Sequence, residues 1–172
     1  MDGAQPGGGA DDAAAPAREV IKRLGARGQT IAVAESLTGG MLAAALTAVP
    51  GASAVFRGGI VSYATDLKAS LLGVPAALLD AHGAVHPAVA SAMAEGARQR
   101  MTAAVGAATT GVAGPDPQDG QPVGTVYIAV ASAARGPTVR SLGLSGGRQQ
   151  IRQATVDQVL GLLVRMLREE NI

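Results

Sequence analysis

The sequence predicts an α/β protein, a three-layer α/β/α sandwich around a mixed, mostly parallel sheet of about five strands. Three observations carry this expectation. Helix-period and strand-type segments alternate through the first part of the chain, and two strands then follow in succession. The length, 172 residues, is that of one domain with a sizeable core. Hydrophobic residues make up 48% but aromatics only 2%, so that core must be built from Ala, Val, Leu and Ile.

The elements follow in order. Residues 1–12 are rich in Gly, Ala and Asp with little to bury, and read as a disordered tail; residues 13–172 read as a single domain. A helix is expected over about 13–27, with Ala17, Val20, Ile21 and Leu24 on one face and Gly28 as its stop. Thr30 to Ala34 is a short β-branched and apolar run, a buried strand. Glu35, Ser36, Thr38 and the pair Gly39-Gly40 lead into Met41 to Leu46, a run of strong helix formers ending near Pro50-Gly51. Residues 55–65 read as a second strand and Asp66 to Leu72 as a short helix stopped by Gly73. Two further helices are expected over 75–81 and 87–100, each with Pro in its first turn. A third strand is expected over 102–109, then a Gly-, Pro- and Asp-dense loop to Pro122. Residues 123–131 and 138–144 read as two strands joined through a turn at 134–137. The last helix is expected over about 149–168, with Val156, Val159, Leu160, Leu163 and Leu167 inward and Asp157, Gly161, Arg165 and Arg168 as a solvent stripe.

Composition excludes several function classes. The net charge of +1 makes no electrostatic case for nucleic-acid or membrane partners, and the few aromatics offer no stacking platforms for single strands. No apolar run reaches the ~18 residues of a membrane span, and the N-terminus lacks the basic and apolar regions of a signal peptide. With no cysteine there is neither disulfide nor thiol chemistry, which is compatible with a cytoplasmic location. The high apolar and low aromatic content favours a homo-oligomer.

The chemistry centres on Ser36, placed where a strand hands over to a helix. Ligands of open α/β sheets bind at the carboxyl ends of strands, and a hydroxyl there is a candidate nucleophile with the amides of Thr38, Gly39 and Gly40 nearby. The same residues also fit a simple helix cap. Two histidines, His82 and His86, flank a Gly83 turn; they fit a turn or capping role better than a metal site, since no acidic cluster stands beside them. A Ser-His-Asp triad has no signal, and the positions flanking Ser36 are Ala34 and Thr38, not the glycines of a nucleophile elbow. Lysine is rare: only Lys22, on the polar side of the first helix, and Lys68. Lys68 follows Tyr63 by five residues, and the strand-end position brings both within reach of Ser36; a neutral lysine is a known alternative base. The bland alternative is a surface charge and an ordinary strand aromatic. Thr110, Gly111 and Gly114 add hydroxyl and amide groups at the same sheet edge, and Arg148 opens the last helix, where it suits a phosphate or carboxylate.

These segments in this order resemble the CinA C-terminal domain family, whose enzymatic members are nicotinamide-mononucleotide amidohydrolases. The matching pieces are Ala34-Glu-Ser-Leu-Thr-Gly-Gly40, Gly59-Ile-Val-Ser-Tyr63 with Lys68, Leu71-Leu-Gly-Val74, His82-Gly-Ala-Val85, Thr110-Gly-Val-Ala-Gly-Pro115 and Pro122-Val-Gly-Thr-Val126. The resemblance implies a cofactor- and metal-free hydrolysis of the carboxamide of a small-molecule nucleotide, with Ser36 as nucleophile, Lys68 as base and Tyr63 assisting. It places Ser53, Thr110 and Arg148 around the substrate. A non-catalytic nucleotide-binding or interaction module on the same fold is the alternative. Two positions depart from the family pattern: Thr65 stands where an Asn is common, and Gly147 where an Asp precedes the arginine. Many relatives carry an N-terminal pyrophosphatase domain, which the short tail cannot hold, so a stand-alone form is expected.

Overall fold

A computed structural model describes residues 14–169. The tail expected over 1–12 lies outside the described residues. The chain runs α1 (Ala15–Ala26), β1 (Ile31–Glu35), α2 (Met41–Thr47), β2 (Phe56–Val61), α3 (Thr65–Leu72), α4 (Ala76–His82), α5 (Pro87–Arg100), β3 (Val105–Gly111), β4 (Thr125–Ser132), β5 (Thr138–Gly143) and α6 (Arg148–Arg168), with a single 3-10 turn at Ala52–Ala54. The five strands form one sheet in the order β2-β1-β3-β4-β5. Pairing is parallel between β1 and its neighbours β2 and β3, and antiparallel on both sides of β4. β4 alone therefore runs against the other four strands.

Alternation along the strands divides the core into two layers. On β1, Ile31 and Val33 face a cluster with Leu24 of α1, Leu42 of α2 and Ile151 of α6. Ala32 and Ala34 face the opposite cluster with Leu72 of α3, Leu79 of α4 and Met93 of α5. The second layer meets the sheet mostly through alanines, so α5 lies close against it. A Cβ at Gly106 of β3 would stand 2.0 Å from the Ala94 carbonyl oxygen, so only glycine fits there. The expected inward face of α6 is buried, and Ile151, Thr155, Leu162 and Met166 widen it.

Several boundaries differ from the sequence expectation. β3 runs to Gly111, through Thr110, both expected in the loop; their backbones are claimed by antiparallel pairing with Tyr127 and Val126. β2 stops at Val61, and Thr65 is already the first residue of α3. Among the described residues no helix is long and apolar enough to cross a membrane.

Candidate active site

Parallel β1, β2 and β3 bring their carboxyl ends to one edge of the sheet. Ser36 follows β1, Ser62 follows β2, and Val112 follows β3. The Ser36 amide donates to the Thr109 carbonyl (3.1 Å) and the Ser62 amide to the Glu35 carbonyl (2.9 Å), extending the ladder past the assigned strands. This edge is where polar groups are buried: Glu35, Ser36, Thr38, Ser62, Lys68, Thr109 and Thr110.

Lys68 is 1% exposed. Its helix α3 starts just beyond β2 and turns the side chain back under the sheet edge. Its Nζ donates to Ser36 Oγ (3.2 Å), to the Ser62 carbonyl (2.7 Å) and, at the limit of length, to the Tyr63 carbonyl (3.5 Å). Burial lowers its pKa to about 8, partly opposed by the negative charges of Asp119 and Asp66. The geometry serves both protonation states. As an ammonium, Lys68 fills its three donors. As a neutral amine it has two N–H groups for the two carbonyls and a lone pair left for the Ser36 hydroxyl.

The Ser36 turn is held from outside. Arg152 of α6 donates from Nε to the Leu37 carbonyl (2.9 Å) and from Nη2 to the Thr38 carbonyl (3.0 Å). Thr38 and Thr109 hydroxyls share a buried hydrogen bond of 2.8 Å, so the Thr38 side chain ties the turn to β3. Sequence reasoning assigned Glu35 no part, yet its buried carboxylate accepts from the amides of Gly40 (3.0 Å), Leu42 (3.1 Å) and Ala43 (2.8 Å). It thereby occupies the start of α2. Gly39 donates to the Ser36 carbonyl. The amides of Gly39 and Gly40 are thus taken, which corrects the expectation that they await an anion. Among the described residues the amides of Leu37, Ala113 and Gly114 have no acceptor, and all three residues line the cleft beside Ser36.

That cleft, of about 80 Å³, is bounded by Ser36, Leu37, Tyr63 and Arg148 on one side and by Gly111 to Gly114, Asp116 and Gln118 on the other. Arg148 crosses its mouth. Its guanidinium donates to the Gly114 carbonyl and, from Nη2, to the Tyr63 hydroxyl (2.7 Å). With Gly147 in place of an Asp, no side chain caps the first amides of α6; the Gln150 side chain instead accepts from the Gly147 amide (2.8 Å) and fixes the entry to the helix.

Tyr63 touches Lys68 through its backbone carbonyl, while the residue as a whole is exposed and its hydroxyl meets Arg148. The Thr110 hydroxyl is buried and donates to the Ala84 carbonyl (2.7 Å), bracing the segment between α4 and α5. Ser53 lies far from the cleft, on the other edge of the sheet. It precedes β2, and the parallel register of Ile31 with Phe56 puts it at the amino edge of the sheet, opposite Ser36 and exposed. His82 and His86 stack with ring centroids 4.1 Å apart. His86 Nδ1 accepts from the Ala88 amide (3.2 Å), the capping role expected of it.

Fold and site together define an α/β domain with a buried Ser–Lys pair and an arginine-crossed cleft at the carboxyl edge of a mixed sheet. The family model described as the CinA C-terminal domain matches residues 13–167. The chain belongs to the CinA C-terminal domain family. A CinA-like protein of Frankia casuarinae is 55% identical over 160 residues, covering 93% of this chain and 36% of that protein. A CinA-like protein of Anaeromyxobacter dehalogenans is 50% identical over 152 residues, 87% of this chain and again 36% of the relative. The chain thus spans little more than a third of these curated relatives. Solved structures match over more than nine-tenths of the chain: the competence/damage inducible protein CihA from Agrobacterium tumefaciens has a TM-score of 0.87 at 36% identity, over 96% of this chain and 99% of that one. A CinA superfamily protein from Klebsiella pneumoniae has a TM-score of 0.87 at 30% identity, over 91% and 98% of the two chains.

Proposed function

We propose that the protein hydrolyses the carboxamide of nicotinamide mononucleotide, releasing ammonia and nicotinate mononucleotide, with Ser36 as nucleophile and Lys68 as its base. The observation that carries this reading is the 3.2 Å contact between Lys68 Nζ and Ser36 Oγ in a buried setting that lowers the lysine pKa to about 8. An exposed lysine titrates near 10.4 and holds almost no free base at neutral pH; at a pKa of about 8 roughly a tenth is neutral at pH 7.

The chemistry proceeds in two halves. Neutral Lys68 takes the Ser36 proton as Oγ attacks the amide carbon, and the oxyanion forms against the free Leu37 amide, the donor next to the nucleophile. The Lys68 ammonium then gives its proton to the departing nitrogen, ammonia leaves, and an ester remains on Ser36. Water attacks the ester, Lys68 accepts a water proton and returns one to Ser36 Oγ, and the carboxylate product departs. The cleft suits the carboxamide end, with the phosphate end reaching outward. Arg148 keeps donors beyond the two it spends on Gly114 and Tyr63, and the Ala113 and Gly114 amides stand beside it. The reading needs neither metal nor cofactor.

The test is ammonia release from nicotinamide mononucleotide by the purified protein, with and without excess chelator, in parallel with other small amides. Turnover that persists in chelator and disappears in Ser36→Ala supports the reading. Background rates with every amide would favour a nucleotide-binding module instead.

A further inference from the structure

We infer that Asp116 is a specificity residue of the cleft: a negative charge on its wall that favours an amide carried on a cationic ring over the same amide on a neutral ring. This rests on the hydrolase reading above and adds the charge class of the substrate that the cleft selects.

Two opposite charges bound one small space. Of the residues that line the cleft, Arg148 and Asp116 carry a full charge. They do not neutralise each other. Arg148 donates to the Gly114 carbonyl and the Tyr63 hydroxyl, and among the described residues the Asp116 carboxylate has neither a hydrogen bond nor an ion pair. A cleft of about 80 Å³ thus keeps an unspent carboxylate and the remaining donors of a guanidinium within reach of one ligand. A neutral amide leaves the carboxylate unanswered, and a purely anionic one is repelled by it. A ligand with one positive and one negative end answers both. Nicotinamide mononucleotide has that form, with a quaternary ring nitrogen and an anionic phosphate.

The walls of the cleft suit such a ring. Asp116 stands between Pro115 and Pro117, and prolines on both sides restrict its backbone, so the carboxylate is held at small entropic cost. The opposite wall carries Tyr63, held at its hydroxyl by Arg148. The face of a phenol ring also attracts a cation. Lys68 lies behind Ser36, and the free-base form that would take the Ser36 proton adds no opposing charge. Selection by charge also selects for reactivity. A positive ring nitrogen withdraws electrons from the carboxamide carbon and opens it to attack by Ser36 Oγ.

The probe is nicotinamide mononucleotide against its dihydro form, which keeps the phosphate, ribose and carboxamide on a neutral ring. Selectivity is the ratio of the two kcat/KM values for ammonia release. The dihydro amide is intrinsically less reactive, so the change in this ratio on substitution is what counts. Asp116→Asn keeps the size of the side chain and removes its charge. It should lower the ratio about fivefold, the effect of one partly solvated charge a few ångströms away. Asp116→Lys should lower it further, and both effects should shrink in high salt. The melting temperatures should stay near that of the parent, since the Asp116 side chain holds no other group. Binding isotherms of the two nucleotides on Ser36→Ala, and on Ser36→Ala combined with Asp116→Asn, read the same preference without turnover. A ratio and a binding preference that Asp116→Asn leaves unchanged overturn the inference. A parent protein that releases ammonia from neither nucleotide, yet loses its binding preference with Asp116→Asn, instead removes the Ser–Lys chemistry and leaves the role of Asp116 standing.

Discussion

The two ends of the sheet are built from the same strands and have opposite characters. At the amino edge, strand entries are closed by aliphatic residues such as Ile31, Val55 and Val105, and hydroxyls such as that of Ser53 are left to solvent. At the carboxyl edge, seven of the nine buried polar or charged residues among those described come together; of these nine, Ser132 and Thr155 lie elsewhere. Burying a lysine is costly unless its hydrogen bonds are met and its charge is balanced or lost. A fold that needed only stability would not gather Glu35, Lys68 and four other hydroxyl-bearing side chains around Ser36. The contrast supports the proposal that the carboxyl edge is the working end, and its buried groups then divide into those that hold the turn and those available for the proposed chemistry.

That division is tested first at its strongest point. Ser36→Ala and Lys68→Arg should each lower turnover by about a thousandfold or more while nucleotide binding survives. The arginine keeps the charge but has no useful deprotonated form. Steady-state kinetics beside a binding isotherm decides it: a Lys68→Arg protein with near-normal kcat would mean that Lys68 only attracts substrate.

Glu35→Ala should strike stability more than any change at the amino edge. It leaves the amides of Gly40, Leu42 and Ala43 without their acceptor and opens a buried space, a loss of about 3 kcal/mol in denaturant unfolding. A loss below about 0.5 kcal/mol would show that water replaces the carboxylate without cost.

The lowered Lys68 pKa makes two linked pH predictions. Turnover should rise through pH 8 as the free base appears. Stability should respond in the same direction. Below pH 8 both folded and unfolded chains carry the Lys68 proton, and burial penalises the folded one. Between pH 8 and the unfolded value of 10.5 the folded chain releases the proton first, so stability rises with pH. Lys68→Met has no such proton. The parent should therefore gain on this variant by roughly 3 kcal/mol across that window, and parallel stability curves would contradict it.

The smallest effect is expected at the other edge. Ser53→Ala should leave turnover within about twofold and stability within about 0.5 kcal/mol. A large loss of turnover would instead mean that a second copy of the chain carries its Ser53 to the cleft.

How much of this was legible differs by residue. The Ser36 turn was readable because a β-branched run, a hydroxyl and a glycine pair are all local signals. Arg148 was readable because it opens a long amphipathic helix. Lys68 was readable only as a rarity; that it is buried depends on α3 folding back against α5, which brings its side chain to Ser36 and the Ser62 carbonyl. Glu35 passed unnoticed because a carboxylate beside a strand end looks exposed until its helix arrives. Arg152 gave no signal, since it reaches Leu37 and Thr38 across 115 and 114 positions of sequence. Asp116 lay in a segment whose Gly, Pro and Asp content spoke only of a loop.

By itself the sequence determined the fold class, the order of elements, the inward faces of α1 and α6, and the candidates Ser36, Lys68 and Arg148. These rest on periodicity and residue type, which act between neighbours along the chain. Only the tertiary structure decided which amides stay free, that Gly39 and Gly40 are spent within the turn, that Ser53 faces away, and that Thr110 braces Ala84. Those outcomes depend on strand order and register. A hydrogen bond goes to whichever acceptor the fold brings within about 3 Å, and for Arg27 and Arg152 that acceptor lies more than a hundred positions away.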